Sequence, residues 1–240
     1  MGTSLKEKTY LITGATRGIG RSISKLLHEQ GARVILTGRS PNLLETLSNE
    51  LNSERCHTIA SDLSTERGCL SLAATFKALD LSIDGLINNA GIGIFGPLEE
   101  TSTQAWDMIM AINARAPFLL CREFLPLLKV RGRGHIINIA SVVAHKGYPN
   151  QSAYAASKHA LLGFSKSLAR EVQADGIRVH VLCPGGVDTE MVSDSRPDLD
   201  RDVLMSPEEI AETTLFLLTR KGNAVIDQID LRRESSTPWA

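Results

Sequence analysis

Apolar residues enter this chain in two alternating rhythms. Short runs in which nearly every position is apolar or β-branched, TYLIT at 9 to 13, RVILT at 33 to 37 and GLIN at 85 to 88, suit strands of a parallel sheet covered on both faces. Between them, apolar residues recur at three- and four-residue spacing, first as Ile19, Ile23, Leu26 and Leu27, then as Leu43, Leu44, Leu47 and Leu51. That is the period of a helix with one buried stripe. Gly31 stops the first of these helices, and Ser40-Pro41 opens the second as an N-cap with proline in the first turn. A weaker strand, CHTIAS at 56 to 61, and a helix over about 65 to 79 follow. The second half continues with a long helical region at 101 to 130, opened by Thr101 or Ser102, and a strand HIINIA at 135 to 140. Then come a helix over about 153 to 174, a strand RVHVLC at 178 to 183, and a polar, proline-bearing stretch from 184 to 205 that reads as a loop or lid. Ser206-Pro207-Glu208-Glu209 starts a helix running to about 218, and AVIDQI at 224 to 229 reads as the last strand.

Strand and helix in strict alternation predict one α/β domain over residues 1–240. The expected architecture is a doubly wound, Rossmann-type parallel sheet of about seven strands with helices on both faces and right-handed crossovers. With 26 Lys and Arg against 27 Asp and Glu, the composition carries no footprint for nucleic acid. No run approaches the roughly 18 apolar residues of a membrane span, and the polar start MGTSLKEK lacks the apolar core of a signal peptide. A cytoplasmic protein without a membrane partner is the expectation. Cys56, Cys69, Cys121 and Cys183 are scattered without a C-x-x-C pair, and no H-E-x-x-H occurs, so reduced thiols and no metal site are expected.

Chemistry enters first at TGATRGIG, where glycines at 14, 18 and 20 lie between a strand and a helix. A pyrophosphate needs backbone amides at a helix N-terminus with no side chains in the way, and this spacing supplies both. A glycine-rich turn without a ligand is the plain alternative. Arg17 lies in that loop and Arg39 just after the second strand, while position 38 is Gly and no acid follows until Glu45. An acid at the end of the second strand would bind a ribose 2′-OH, whereas guanidiniums there suit a 2′-phosphate. NADP(H) is therefore the expected cofactor.

Further on, Tyr154 and Lys158 stand four residues apart on a predicted helix and share a face. A phenol beside an ammonium is a candidate proton donor, since a free phenol has a pKa of about 10 and a nearby cation favours its ionised form. Ser141 precedes them at the end of the fifth strand, with His145, Lys146 and Tyr148 between, where side chains could reach a substrate or could be ordinary loop. Met191 and the charged segment up to Met205 read as a solvated lid, taken as about 188 to 205.

With these residues in place the chain resembles the short-chain dehydrogenases/reductases, in the single-domain branch. TGATRGIG, Asp62-Leu63, NNAG at 88 to 91, Asn113, Ser141, Tyr154-x-x-x-Lys158 and PGGVDTEM at 184 to 191 match in type and order, and the likeness covers about residues 7 to 219. The resemblance implies that Gly14, Thr16, Arg17, Gly18, Ile19, Gly20 and Arg39 border the phosphates, and Asp62 and Leu63 the adenine. Asn89, Ala90 and Gly91 would pack on the adenosine half, and Pro184, Gly185, Val187 and Thr189 on the nicotinamide end, beside Tyr154 and Lys158. It also implies a catalytic set of Asn113, Ser141, Tyr154 and Lys158, in which Asn113 interrupts its helix and holds a water for a proton relay.

The expected activity is NADP(H)-dependent reduction of a ketone, aldehyde or 3-oxoacyl thioester to an alcohol, with Tyr154 as general acid/base. The competing reading is a non-catalytic dinucleotide-binding redox sensor or partner protein. A longer epimerase or dehydratase is disfavoured because its extra substrate domain has no room. The helices at 101 to 130 and 153 to 174 resemble the family's pairing surface, implying a homo-oligomer, dimer or tetramer. The tail AVIDQIDLRRESSTPWA departs from the aspartate-glycine-glycine turn of many relatives.

Overall fold

A computed structural model describes residues 5–51, 54–195 and 200–238. Seven strands, β1 (Thr9–Thr13), β2 (Arg33–Gly38), β3 (Cys56–Ala60), β4 (Gly85–Asn88), β5 (Gly134–Ile139), β6 (Ile177–Pro184) and β7 (Gln228–Leu231), form one parallel sheet in the order β3-β2-β1-β4-β5-β6-β7. Because the side chains of a strand alternate, a continuous apolar run feeds two cores at once. Tyr10, Ile12, Val34, Leu36 and Ile137 join one layer, packed with Ile23 and Leu27 of α1 (Gly18–Glu29), Leu44 and Leu47 of α2 (Pro41–Leu51) and Ile210 and Leu217 of α8 (Pro207–Thr219). Leu11, Ile35 and Ile136 join the other, against Leu72 and Phe76 of α3 (Glu66–Ala78), Leu120 and Phe124 of α5 (Ala116–Val130) and Leu168 and Val172 of α6 (Ser152–Val172). The doubly wound sheet predicted from the run pattern is the sheet observed.

Helix starts follow their local chemistry. Ser206 and Glu209 exchange the two bonds of a capping box ahead of Pro207, which satisfies amides that no helical carbonyl reaches. Of the two candidates at the next such site, Ser102 is the cap, accepting from Ala105 N at 3.1 Å. Three expectations need correction. The helix expected over 101 to 130 is two helices, α4 (Thr103–Met110) and α5, joined by a π-turn at Ala111–Arg115. The stretch from 184 to 205 is not all loop: it contains α7 (Glu190–Ser195), a 3₁₀ turn at Arg201–Val203 and a bridge between Val187 and Met205, while residues 196–199 of the expected lid lie outside the described residues. The last strand is displaced from 224–229 to Gln228–Leu231. There Gln228 to Leu231 pair with Val181 to Pro184, and this register, not apolarity, selects the strand.

The sheet positions the site. β1 has β2 on one side and β4 on the other, so the chain reverses its direction of travel across the sheet at this point, and a crevice opens beyond the carboxyl ends of these strands. A ladder of buried side chains fixes α6 on the far side: Asn88 Nδ2 donates to Asn138 Oδ1 at 2.8 Å, Asn138 Nδ2 to Ser165 Oγ at 2.7 Å, and Ser165 Oγ to Leu161 O at 2.7 Å.

At the opposite end of β5, His135 Nδ1 lies 3.2 Å from His180 Nε2. Burial first, then His180 and the guanidiniums of Arg178 and Arg133, hold His135 down to about 3. A histidine neutral in the fold but free to protonate at its ordinary value when unfolded contributes stability above about pH 6.5 and loses it progressively as the pH falls toward 3. Urea unfolding at pH 7 and pH 5 is expected to show His135→Asn losing about 2 kcal/mol less over that interval than the wild type; equal losses would mean that His135 does not carry the linkage.

Candidate active site

Thr13, the last residue of β1, fixes where the two halves of the crevice meet. Its Oγ1 accepts from Asn89 N and Ala90 N, each at 2.9 Å, while Asn89 Nδ2 donates to Thr13 O at 2.8 Å. Backbones tied this closely leave no volume for a side chain. A Cβ on Gly14, whose φ is +63°, would stand 2.9 Å from Ala90 Cα, and one on Gly18, at φ +45°, would meet Thr189 Cγ2 at 2.9 Å. Gly20 has another place: it lies behind the loop, where a Cβ would collide with Gly14 O at 2.2 Å.

The resulting cleft, about 800 Å³, is lined by Gly14, Thr16, Arg17, Gly18, Ile19, Arg39, Asp62, Leu63, Asn89, Ala90, Gly91, Ser141, Tyr154, Lys158, Pro184, Gly185, Val187 and Thr189. Every residue expected at a cofactor thus lies on one surface except Gly20. Its size is that of a cofactor site. Arg39 is exposed at the rim, near enough to Asp62 to help lower that carboxyl, after the larger effect of hydrogen bonds from Ser64. Arg17 is engaged elsewhere, in an ion pair with Glu190 of α7.

A second cavity, about 660 Å³, opens beside the cleft, and Ser141, Tyr154, Gly185, Met191 and Val192 line both. His145, Lys146 and Tyr148 line this second cavity. So does part of the C-terminal tail, from Asp230 to Arg233 and from Ser236 to Pro238, which the sequence left without a role. No motif marks the tail; its departure from the expected turn was the only signal.

At the junction, Lys158 is buried and its Nζ donates to Ile139 O at 2.9 Å, 5.7 Å from the centre of the Tyr154 ring. Phe95 packs edge-on against that ring at 5.3 Å. The Ser141 hydroxyl lies near enough to the phenol to favour its ionised form, and it accepts from Val143 N at 3.3 Å, capping the 3₁₀ turn Val142–Ala144. The expected acidification of the phenol is corrected here. Burial pushes Tyr154 up to about 12 against the smaller downward pull of Ser141, and burial brings Lys158 down to about 8. Lost hydration disfavours the charged form of both groups. At neutral pH the pair is phenol and ammonium, the state that donates a proton.

Asn113 does not line the cleft; it holds the lining in place. In the π-turn, it accepts from Ile92 N through Oδ1 at 2.9 Å and donates through Nδ2 to Ile92 O at 2.9 Å and to Ser157 Oγ at 3.0 Å. Ser157 in turn donates to Tyr154 O at 2.7 Å. A Cβ on Gly91 would lie 3.3 Å from Asn113 Oδ1 and 3.5 Å from Lys158 Nζ, so Gly91 separates the amide from the ammonium. Thr13 and Ser157 were missed because a lone hydroxyl in a strand or helix carries no pattern.

His145, Cys183 and Asp230 bring ligating atoms within 4.8 Å of one another, far apart though they are in sequence. Gln228 Nε2 donates to Asp230 Oδ2 at 2.9 Å and lies 2.8 Å from His145 Nε2. Burial, and then Asp230, push the Cys183 thiol up to about 12. These groups form a hydrogen-bonded knot around a protonated thiol. All four cysteines are free thiols.

Comparison with known proteins gives one answer. A family model described as short chain dehydrogenase matches residues 8–200. An uncharacterized oxidoreductase of Staphylococcus aureus is 30% identical over 230 residues, covering 96% of this chain and 99% of its own. Among solved structures, a metagenomic short-chain oxidoreductase in complex with NADP is 33% identical with a TM-score of 0.85, covering 98% of this chain and 100% of its own. An alcohol dehydrogenase from the archaeon Thermococcus sibiricus, complexed with 5-hydroxy-NADP, is 27% identical with a TM-score of 0.88, over 97% of this chain and 99% of its own.

The hold of Asn113 on Ile92 is testable through stability. Asn113→Ala leaves the part-buried Ile92 N–H and C=O at the cleft wall without their protein partner, and urea unfolding is expected to show a loss of about 1–2 kcal/mol. Ser157→Ala, which removes one contact, should cost less; the reverse order would contradict the arrangement.

Proposed function

The chain belongs to the short-chain dehydrogenase family, and on that premise we propose that it is an NADP(H)-dependent oxidoreductase that reduces a carbonyl to an alcohol, with Tyr154 as general acid. The observation that carries this reading is the meeting of two cavities at Ser141 and Tyr154 with Lys158 beneath. One chamber alone would suit a binding module; two sharing a proton donor suit a transfer between bound molecules.

The cleft fits a dinucleotide. Gly14 and Gly18 leave bare backbone where a Cβ would collide, at the N-terminus of α1, and aligned amides there favour phosphate. Arg39 would hold a 2′-phosphate, with no acid on β2 to oppose it. Arg17 would join only after leaving Glu190, and an ion pair with both partners more than half exposed is worth about 0–1 kcal/mol, so the exchange costs little. Bound there, the cofactor supplies the hydride.

The rest falls to the protein. Ser141 aligns the substrate oxygen and stabilises charge developing on it. Tyr154 gives that oxygen its proton, and the ammonium of Lys158 stabilises the phenolate left behind. Asn113 acts through Ile92 and Ser157, which hold the Gly91 backbone and the Tyr154 turn in register. The exposed side chains of Trp106 and Phe118 on α4 and α5 support a further reading, a homo-oligomer paired through these helices. Among the described residues no helix is long and apolar enough to cross a membrane.

Tyr154→Phe should lower kcat/KM for carbonyl reduction by about 10²–10⁴-fold while leaving NADPH affinity within a factor of a few; activity that survives would rule out the assigned proton donor. NADPH should bind more tightly than NADH, and Arg39→Asp should narrow the gap; equal affinities would refute the 2′-phosphate assignment. Lys158 is charged below and neutral above about pH 8, so reduction should weaken as the pH rises through that value. In Lys158→Arg the decline should move to higher pH, because a guanidinium keeps its proton.

A further inference from the structure

The cavity next to Tyr154 has an unusual charge pattern for a chamber with so much apolar wall. Phe95, Val142, Val143, Met191, Val192 and Leu231 contribute that wall. Among the described residues three fixed cations, Lys146, Arg232 and Arg233, also line it, against one carboxylate, Asp230. Asp230 is already engaged, accepting from Gln228 Nε2 through both oxygens and lying 3.2 Å from His145 Nε2. Among the described residues none of the three cations has an acidic partner. Their states differ, however.

Arg232 is structural. Its Nη1 donates to the carbonyls of Arg233, Glu234 and Ser236 at 3.0–3.1 Å, and Ser236 N closes the same turn on Arg233 O at 3.0 Å. This knot fixes the tail after β7 against the cavity, and it holds Arg233 in place. The stem of Arg233 lies against bare backbone at Gly186, where a Cβ would stand 3.3 Å from Arg233 Cδ. Gly186 follows Gly185, which lines both cavities. Arg233 and Lys146 are both only half-exposed, and neither side chain makes a hydrogen bond or ion pair among the described residues. Two cations half-shielded from water beside apolar wall lose part of their hydration, which an anion would replace, and a guanidinium whose donors have no partner among the described residues is shaped for an oxyanion.

We infer that the substrate carries an anionic group, carboxylate or phosphate, in addition to its carbonyl, and that Arg233 and Lys146 receive it while Tyr154 and Ser141 face the carbonyl. This rests on the oxidoreductase reading for the carbonyl, but the anion site stands on its own cations. It also gives the tail a role: the chain beyond β7 completes the substrate chamber and selects by charge.

The test separates the two readings. Calorimetric titrations with malonate, inorganic phosphate and neutral malonamide are run in an Arg39→Gln background, with and without Arg233→Gln, so that anions held by the amides of the nucleotide cleft cancel in the difference. Malonate or phosphate should bind and malonamide should not, with Arg233→Gln and Lys146→Gln each weakening the anion by about tenfold or more. The preferred anion identifies the group as carboxylate or phosphate. Binding unchanged in Arg233→Gln, equal binding of malonate and malonamide, or no anion binding would each overturn the inference. In a parallel arm, an oxo acid should be reduced by the otherwise wild-type protein with kcat/KM about tenfold or more above that of its amide, and Arg233→Gln should remove the preference. If neither compound turns over while malonate still binds, the oxidoreductase reading fails and the anion site remains.

Discussion

Asn113 makes a reciprocal pair of hydrogen bonds with the backbone of Ile92 and a third bond to Ser157. Those three bonds tie the π-turn between α4 and α5, the segment after β4, and the first turns of α6 into one unit. The π-turn matters because an extra residue in a helical turn rotates one side chain out of the ordinary repeat. It places an amide where a regular helix would present a flank. Everything at the junction of the two cavities depends on this unit: Gly91 stays beside Lys158, and Tyr154 is held through Ser157. The Thr13 hydroxyl does similar work on the other side, closing β1 on the start of the loop after β4.

Burial then sets the chemistry. Loss of hydration raises Tyr154 and lowers Lys158, and charges partly withdrawn from water act on one another more strongly. The lysine's hydrogen bond to Ile139 O fixes the ammonium to the end of β5, so its distance from the ring is set by the sheet and not by a flexible stem. Phenol, ammonium and hydroxyl thus belong to two elements, β5 with its following turn and α6, whose relation is locked by the Asn88, Asn138 and Ser165 ladder.

Selectivity lies elsewhere. The larger cleft is made by strand ends and the loops that follow them, while the second cavity is completed by the turn after Ser141, by α7 and by the tail beyond β7. Loops and tails can change charge and shape without disturbing a sheet whose strands are packed on both faces. The exposed pair between Arg17 and Glu190 joins the glycine loop to α7, and so the larger cleft to a wall of the second cavity.

Sequence by itself determined the parallel sheet, because continuous apolar runs have one economical use, and the glycine loop, because only missing side chains let Gly14 approach Ala90. It also determined the alignment of Tyr154 with Lys158, a consequence of helical period. Tertiary structure decided the rest. The last strand was chosen by pairing with β6, which no local pattern encodes, and α7 arose in a stretch whose charge and proline read as loop. The protonation of Tyr154 followed burial, a property of packing, and reversed the direction expected from its charged neighbour. Thr13 and Ser157 became site residues only through contacts across the fold. The gathering of Lys146, Arg232 and Arg233 at one cavity needed the tail to fold back past β7, since cations so far apart along the chain become one field only when the sheet brings their segments together.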